Sequence, residues 1–343
     1  MPGTPRDIVP APASALADMP VKEVTEEQMK IAIIGQSAFG KSVLEALVNK
    51  GEDKIVGVFA PPTREGRPAD PITEAAAESD IPTFEFKRLR DQEAIDHFKS
   101  LKPELCVMAF VTDIVPMEMI DCPSLGTIQY HPSMLPLHRG PSSINWPIIN
   151  GETVTGLTIF WPDKGLDTGP VLMQKRIDIG PEDTLGSIYF NQLFPLGVDA
   201  LVESVDLVRA GNAPKIVQDE SKATYEGWCK AEDVAIDWTA PTSTINTVFN
   251  MIRGADPQPG ANTTFNGTKV SLYNSSLSAT LPENTDDDVR PGRVLAIGES
   301  EIAILAKGGS INVGRVRAAG GKKISAAEWA ESVGLKVGDK LGS

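Results

Sequence analysis

The chain has 343 residues, which is longer than most single domains and predicts two domains. Hydrophobic residues make up 41% of it and charged residues 23%, as is typical of a globular protein with a sizeable core. Acidic residues outnumber basic ones by 46 to 32, and the net charge of -14 argues against nucleic acid and anionic membranes as partners.

The amino-terminal segment predicts neither export nor membrane insertion. Its first 28 residues are rich in proline and alanine and have no apolar core of the kind that a signal peptide needs. No apolar run in the sequence is long enough to span a bilayer. We therefore expect a disordered tail over residues 1–28, a cytoplasmic location and no membrane partner.

Cysteine use argues against a disulfide framework and a zinc site. The three cysteines, Cys106, Cys122 and Cys229, are odd in number and form no CxxC motif, and no HxxxH motif accompanies them. A disulfide framework is typically read from an even number of cysteines, and a zinc site from such spacings. We expect free thiols in a reducing compartment and no bound metal.

Strand and helix patterns alternate from Lys30 onwards. "KIAIIG" predicts a strand, "SAFGKSVLEALVNKG" a helix that ends at Gly51, and "KIVGVFA" a second strand. The alternation continues through "IPTFEF", "DQEAIDHFKSL", "ELCVMAF" and "GTIQYH". This order predicts an α/β domain with a Rossmann-like, doubly wound and mostly parallel sheet of four or five parallel strands.

The first turn of this domain argues against a bound dinucleotide. "GQSAFG" lacks the central glycine of GxGxxG, which lets the backbone approach a pyrophosphate. The second strand ends with Phe59 and Ala60, where an acidic residue would be needed to bind a ribose. The sequence therefore disfavours an NAD-type oxidoreductase.

Two strands of a different kind are predicted around "GLDTG". The alternating runs in "VTGLTIFWPDKGLDTGPVLMQKRIDI" predict antiparallel strands on either side of this motif. Gly165 and Gly169 allow a tight turn, which we expect to expose Asp167. A long helix is predicted to follow, from Thr184 towards Ala210.

The pattern changes after the predicted catalytic domain, which covers residues 29–211. "AGNAPKIVQDESKATYEGW" is typical of a linker, predicted over residues 212–235. Short strands with glycine turns follow, as in "GRVLAIGESEIAILAKGGSINVGRVRA". They predict a small C-terminal, OB-like β-barrel domain over residues 236–343.

His131 and Asp167 are the candidate catalytic pair. Each is predicted at or just beyond the carboxyl end of a strand, where open α/β sheets bind ligands, and Pro132 ends the first strand and leaves the ring at the rim. A carboxylate that orients an imidazole makes a general acid–base unit. Gln129 lies on the same strand face and could donate its amide to an oxyanion. A purely structural histidine fits the residues equally well.

Several motifs resemble the folate-dependent formyltransferase family, whose members take a formyl group from 10-formyltetrahydrofolate. They are "MKIAIIGQSAFG", "YHPSMLPLHRGPSSINW", "FWPDKGLDTG", "QLFPLG", "ATYEGW" and, more weakly, "NMIRGADPQPGA". The likeness is strongest to the hydrolase branch of the family, the amino-terminal domains of 10-formyltetrahydrofolate dehydrogenases, and methionyl-tRNA formyltransferases share the layout. The resemblance implies a tetrahydrofolate-binding protein that needs no metal.

The resemblance also assigns roles to individual residues. It places the family's catalytic histidine and aspartate on His131 and Asp167. The position of Gln129 is asparagine in the transferase branch and apolar in the hydrolase branch, so its oxyanion role departs from both. The implied pterin contacts are Met108, Ala109, Phe110, Leu135, Asp163, Gly165 and Leu166. Plain core packing explains the apolar members of this set equally well.

The resemblance implies attack of a nucleophile on the formyl carbon of 10-formyltetrahydrofolate. Hydrolysis to tetrahydrofolate and formate, or transfer to a small or protein-borne acceptor, is the predicted function. The alternatives are a methionyl-tRNA formyltransferase and, in another class, a folate-binding protein without turnover. Such a binding protein would have no use for both His131 and Asp167.

Charge argues against the transfer RNA alternative, because RNA is held through its phosphates by clustered basic residues. The loop "PPTREGRPADP" carries only Arg64 and Arg67, interspersed with Glu65 and Asp70. The late basic residues Arg315, Arg317, Lys322 and Lys323 are predicted to be a solvated surface. We expect a folate substrate and no nucleic acid, and an acyl-acceptor protein in trans is a further candidate partner.

Overall fold

The computed structural model describes residues 28–278 and 290–342. The predicted disordered tail therefore lies, except for Gln28, outside the described residues. No helix within the described ranges is both long and apolar enough to cross a membrane.

The amino-terminal sheet has seven strands in the order β3-β2-β1-β4-β5-β6-β7. Strands β1 to β5 are parallel to one another, whereas β6 is antiparallel to both β5 and β7. The predicted Rossmann-like sheet is confirmed. The strands are β1 Lys30–Gly35, β2 Lys54–Ala60, β3 Thr83–Glu85, β4 Leu105–Ala109, β5 Thr127–His131, β6 Val154–Phe160 and β7 Val171–Asp178.

Helices cover both faces of this sheet. They are α1 Ser37–Lys50, α2 Pro71–Glu78, α3 Gln92–Ser100, α4 Met117–Ile120, α5 Asn145–Ile149, α6 Leu185–Ile188 and α7 Phe194–Arg209, with a π-helical turn, Tyr189–Leu193, between the last two. Gly51 ends α1 with φ +69°, as its position in the sequence predicts. Thr184 caps α6 through a capping box, so the predicted long helix begins where expected.

The core divides by strand face. On β1, Ile31 and Ile33 belong to the cluster that packs under α1 and α7, whereas Ala32 and Ile34 belong to the cluster that contains Phe98 of α3. This alternation is the period of two expected of a strand buried on both faces. Burial of each of the three isoleucine side chains stabilises the fold by roughly 1.5–3 kcal/mol.

The amino terminus of α1 is occupied by a side chain of the protein itself. The backbone N–H of Ser37 donates to Oδ1 of Asp70 at 2.7 Å, and the same oxygen caps α2 by accepting from Ile72 N–H at 3.1 Å. A phosphate bound by a Rossmann-type helix would need this position. The arrangement agrees with the exclusion of a dinucleotide from the glycine pattern.

A separate antiparallel sheet forms the C-terminal domain, in the order β10-β11-β12-β9-β8, with β13 paired to β12. Its core includes Val234 and Ile236, so it begins within the predicted linker. A second, antiparallel domain is thus confirmed, while its OB-like closure and the exact domain boundaries stay predictions. The elements are α8 Ile245–Gly254, β8 Ala261–Phe265, β9 Thr268–Ser278, β10 Val294–Ile297, β11 Ile302–Ala306, β12 Gly309–Ala318, β13 Ile324–Ser325 and α9 Ala326–Val333.

Polar contacts join the two domains beside α5. Asn145 donates from Nδ2 to the carbonyls of Gly254, at 2.9 Å, and Gln258, at 3.0 Å. Arg253 of α8 donates to the carbonyls of Gly180 and Asp183. These buried contacts tie the C-terminal domain to the helix that follows the loop after His131.

Candidate active site

His131 is the last residue of β5, and its ring is buried rather than exposed at a rim. The residue is only 6% accessible. Nε2 lies 2.9 Å from the carbonyl oxygen of His138, and Nδ1 lies 3.7 Å from Oδ2 of Asp167. Since a carbonyl can only accept, the hydrogen on Nε2 is directed to His138, and Nδ1 is the nitrogen that faces the carboxylate.

Asp167 lies in the turn between β6 and β7, and the expectation that this turn exposes it is wrong. The residue is 5% accessible, and Oδ2 accepts a hydrogen bond from the backbone N–H of Gly140 at 2.9 Å. Its φ is +58°, in the left-handed region that costs a non-glycine residue about 1–2 kcal/mol. The buried, strained position holds the carboxylate against His131.

The glycines of this turn serve close packing instead of left-handed backbone geometry. A Cβ on Gly165 would lie 2.0 Å from Oγ1 of Thr168, and one on Gly169 would lie 1.8 Å from the carbonyl oxygen of Trp161. Their absent side chains let the turn fold on itself, while Asp167 adopts the positive φ.

The route by which Asp167 reaches His131 also differs from the expected one. Because β6 is antiparallel to β5, its last residue, Phe160, pairs with Gln129, whereas His131 pairs with Thr158. The end of β6 therefore points away from the carboxyl edge of the parallel strands. The connection over residues 161–170 folds back and brings the carboxylate to the imidazole.

The loop after His131 is fixed by β6 and β7. Oγ1 of Thr158 donates to the carbonyl of Ser133 at 2.7 Å and accepts from the N–H of Leu135 at 3.1 Å. Gln174 donates from Nε2 to the carbonyl of Leu135 at 2.8 Å. These bonds satisfy buried backbone groups that a loop would otherwise leave unpaired.

His138, the second histidine of the opening motif, lies between two carboxylates. Nδ1 is 3.2 Å from Oε1 of Glu226, and Nε2 is 3.0 Å from Oε1 of Glu152. Its backbone has φ +55°, and its N–H donates to Oγ1 of Thr224 at 2.7 Å. These contacts set the position of the carbonyl that meets His131.

A buried glutamine from the predicted linker holds the Asp167 turn. Nε2 of Gln218 donates to the carbonyls of Asp167, at 2.8 Å, and Gly169, at 2.7 Å. Its Oε1 accepts from Arg139, whose guanidinium also binds Glu220 at 2.6 and 2.9 Å. The hydrogen bonds to Glu220 raise the pKa of Arg139, so the guanidinium remains charged.

The linker therefore contributes to the site, which its sequence does not predict. Ile216 pairs with Val171, and Tyr225 pairs with Arg139. Apart from the buried Gln218, this segment is largely exposed and polar, and such composition is also typical of a tether. A glutamine in a polar run gives no sequence signal of its burial, because glutamine is mostly exposed in proteins.

The described residues contain no group of three or more His, Cys, Asp or Glu side chains that could hold a metal ion. The three cysteines are free. Burial raises the pKa of the Cys106 thiol and raises that of Cys229 to about 11. These thiols are therefore protonated at neutral pH and are poor nucleophiles.

Comparison with known families identifies the family to which the chain belongs. Residues 29–205 match the formyl transferase family, and residues 229–334 match the formyl transferase C-terminal domain. The chain belongs to the formyl transferase family. The resemblance read from the sequence motifs is thus confirmed.

Two curated relatives of this formyl transferase differ in how much of their length it spans. It is 39% identical over 324 residues to the cytosolic 10-formyltetrahydrofolate dehydrogenase of Xenopus tropicalis, covering 91% of the chain but 35% of the relative. It is 33% identical over 318 residues to the methionyl-tRNA formyltransferase of Geobacter sulfurreducens, covering 92% of the chain and 97% of the relative. The chain thus spans about a third of the dehydrogenase and nearly the whole tRNA enzyme.

Solved structures share its fold at low sequence identity. HypX from Aquifex aeolicus in complex with tetrahydrofolic acid has a TM-score of 0.66 at 19% identity, over 90% of this chain and 48% of that one. An N-formyltransferase from Helicobacter canadensis has a TM-score of 0.60 at 18% identity, over 84% of this chain and 100% of that one. At these identities the likeness concerns the fold.

The residues expected to contact folate divide into buried and accessible sets. Met108, Ala109 and Leu135 are buried, so their side chains belong to the core. Phe110 and Leu166 are 44% and 53% accessible and could meet a ligand directly.

The polar members of the expected site differ in their partners. Asp163 accepts from Gly165 N–H at 3.0 Å and from Thr168 Oγ1 at 2.5 Å, so it shapes the turn. Gln129 is half-buried on the same face of β5 as His131, and its amide has no hydrogen-bond partner among the described residues. Its donor capacity is therefore available to a ligand.

Proposed function

We propose that this formyl transferase binds 10-formyltetrahydrofolate and hydrolyses it to tetrahydrofolate and formate. The observation that carries the proposal is the buried pair of His131 and Asp167, with Nδ1 facing Oδ2 at 3.7 Å. The names of two relatives, a 10-formyltetrahydrofolate dehydrogenase and a methionyl-tRNA formyltransferase, support 10-formyltetrahydrofolate as the formyl donor. The complex of HypX with tetrahydrofolic acid supports the same class of ligand.

The pair is suited to general acid–base catalysis. Water attacks the formyl carbon and gives a proton to Asp167, while negative charge develops on the formyl oxygen. A protonated Nδ1 of His131 and the amide of Gln129 stabilise that charge as donors. The carbon–N10 bond then breaks, the imidazolium gives its proton to N10, and the proton on Asp167 passes back to Nδ1. The released formic acid loses its remaining proton to solvent, so formate and tetrahydrofolate result.

The surroundings of the pair favour this division of roles. The carbonyl of His138 engages Nε2, so one ring nitrogen orients the imidazole and the other is left for proton transfer. Gly140 N–H and Gln218 hold Asp167 through its carboxylate and its backbone. Such fixed placement supplies much of the advantage of a catalytic group.

A second candidate function is formyl transfer to methionyl-tRNA. The match to the Geobacter sulfurreducens enzyme over 97% of its length favours it. Charge opposes it, since the chain carries a net charge of -14 and the loop over residues 61–70 has only Arg64 and Arg67 as basic residues. We therefore propose water, a small amine or a protein-borne group as the acceptor.

Formate release from 10-formyltetrahydrofolate tests the hydrolytic proposal. We expect turnover by the unaltered chain without any added acceptor, and at least about a 100-fold loss in His131→Ala. His131→Asn, which keeps a donor for the His138 carbonyl, should lose as much. Tetrahydrofolate binding should persist in both variants, because the ring acts on the formyl group. Binding without formate release by the unaltered chain would favour a folate-binding protein.

Acceptor competition tests the alternative. The same assay is repeated with methionyl-tRNA at physiological salt, and formylated methionyl-tRNA is measured beside formate. We expect none above background and no salt-dependent binding of the RNA. Formylation that is faster than formate release would place the chain among the tRNA enzymes.

A further inference from the structure

A concave site lies on the C-terminal domain, beside its junction with the catalytic domain. This basic cleft, as we name it, has a volume of about 440 Å³. Lys269 and Ser271 of β9 and Arg317 of β12 line it, together with Pro259, Ala231 and the turn over residues 318–321. It shares no residue with the His131 site.

The strand register brings the polar side chains of the cleft together. Ser271 pairs directly with Arg317 across the antiparallel β9–β12 ladder, so both side chains point to the same face. Lys269 lies two residues before Ser271 on that face, and its carbonyl accepts from Ala319 N–H at 3.3 Å. An ammonium group, a hydroxyl and a guanidinium therefore line one surface.

The positive charge of the cleft is not neutralised by the described residues. Lys269 and Arg317 are exposed and form no ion pair with any residue in the described ranges, and no carboxylate lines the cleft. Lys323, close by, is different, because it pairs with Asp256 at 3.2 Å. The guanidinium of Arg317 lies over the ring of Tyr273, 5.5 Å from its centroid, and this contact leaves its charge unneutralised.

A serine hydroxyl without a partner in the described part of the chain also lines the cleft. Ser271 is 9% accessible, lines the cleft, and has no hydrogen-bond partner among the described residues. The hydroxyl itself is reached by solvent, so water satisfies it when no ligand is bound. Its hydrogen-bonding capacity is therefore available to a ligand in the cleft.

We propose that the basic cleft binds the phosphate group of a small molecule. A phosphate offers several acceptor oxygens, which suit a guanidinium fork, an ammonium group and a hydroxyl on one surface. The volume is within the range of small-molecule sites and admits a phosphate together with the group that carries it. The proposal concerns a site separate from folate and formyl transfer.

The cleft is connected to the catalytic domain through one loop. Arg317 Nη2 lies 3.5 Å from the carbonyl oxygen of Pro259, and the carbonyl of the preceding Gln258 accepts from Asn145 of α5. A bound phosphate therefore contacts the loop that joins the two domains. Its binding can be measured without any folate present.

Titration calorimetry of the full chain with inorganic pyrophosphate tests the proposal. We expect saturable binding that weakens with added salt. Arg317→Ala and Lys269→Ala should each weaken it at least about tenfold, because each removes a charge-assisted hydrogen bond. Ser271→Ala should have a smaller effect in the same direction. Arg90→Ala, which removes an exposed arginine from the catalytic domain, is the charge-matched control and should bind as the unaltered chain does.

Three results would overturn the proposal. Equal pyrophosphate binding by Arg317→Ala and the unaltered chain would remove the cleft from the interaction. Equal affinity for citrate would show a general anion surface without preference for phosphate. Binding of a short RNA hairpin, with none of pyrophosphate, would make the surface a nucleic-acid contact. Formate release by Arg317→Ala should stay unchanged, so this test is independent of the proposed activity.

Discussion

The backbone carbonyl oxygen of His138 lies 2.9 Å from Nε2 of His131. The main chain of His138 therefore orients the imidazole of His131, the candidate catalytic histidine. His138 is in turn held between Glu152 and Glu226. The position of the imidazole thus depends on groups from the catalytic domain and from the predicted linker, which together fix the nitrogen that faces Asp167.

Removing the charge of Asp167 without disturbing its turn should abolish most turnover. Asparagine tolerates the φ of +58° and can still accept from Gly140 N–H. We expect Asp167→Asn to lower the rate of formate release at least about 100-fold, with little change in melting temperature. Asp178→Asn, at an exposed carboxylate, should retain full activity. Near-normal turnover by Asp167→Asn would refute the assignment.

Gln218→Leu should reduce both stability and rate. The substitution leaves the buried carbonyls of Asp167 and Gly169 and the guanidinium of Arg139 without this partner, at a cost of about 2–4 kcal/mol in the free energy of unfolding. A looser turn should also lower kcat at least about tenfold.

The Gln218 measurement needs a correction and a control. Turnover is expressed per folded molecule, from a titration of tetrahydrofolate sites, because a purely structural role would lower the folded fraction and leave kcat intact. Glu220→Gln changes only the exposed end of the same network and should cost less than about 1 kcal/mol. An unchanged kcat in Gln218→Leu would confine the residue to folding.

Gln129→Leu distinguishes an oxyanion donor from a spacer. The amide has no partner among the described residues, so its removal breaks no internal hydrogen bond. If it donates to the developing oxyanion, kcat should fall more than the affinity for tetrahydrofolate. Equal losses in both, or no loss in either, would count against the role.

The cysteine thiols should react slowly in the folded protein. With its pKa raised to about 11 by burial, the Cys229 thiol at pH 8 should react roughly 100-fold more slowly than an unperturbed thiol. The rate measured with a chromogenic disulfide should increase with pH through pH 10.

The raised pKa of Cys229 also makes the free energy of unfolding depend on pH. Because the folded pKa of Cys229 is raised, its contribution is fully present below about pH 8.5 and is lost as the pH rises towards 11. Denaturant titrations between pH 8 and 10 should show this decline, and Cys229→Ser should reduce it. A fast-reacting thiol in the folded chain at pH 7 would contradict the assignment.

The sheet could be predicted because its signals are local. Strands β1 and β2 match the apolar runs residue for residue, and Gly51 marks the end of α1. The eight-residue helix α2 is not among the elements predicted from the sequence, although Asp70 caps it and Pro71 is its first residue. Helix α5 has only five residues and contains Pro147, so no periodicity indicates it.

The geometry of the site could be predicted only in part. The motifs identify His131 and Asp167, but the burial of the pair follows from long-range contacts. Gln218 is 51 residues from the turn that it holds, and Glu226 is 88 residues from His138. Single-residue propensities also assign positive φ to glycine, whereas here Asp167 and His138 adopt it under tertiary constraint.

The contacts of Gln218 and Glu226 determine how much of the chain a separately expressed catalytic domain must contain. The family match to the amino-terminal domain ends at residue 205, yet side chains beyond it position both members of the candidate pair. A functional catalytic module that is transplanted, fused or expressed alone must therefore extend past Glu226. A chain cut at the end of α7 would retain the sheet and its core but would lose Gln218 and Glu226, whose contacts position the candidate pair.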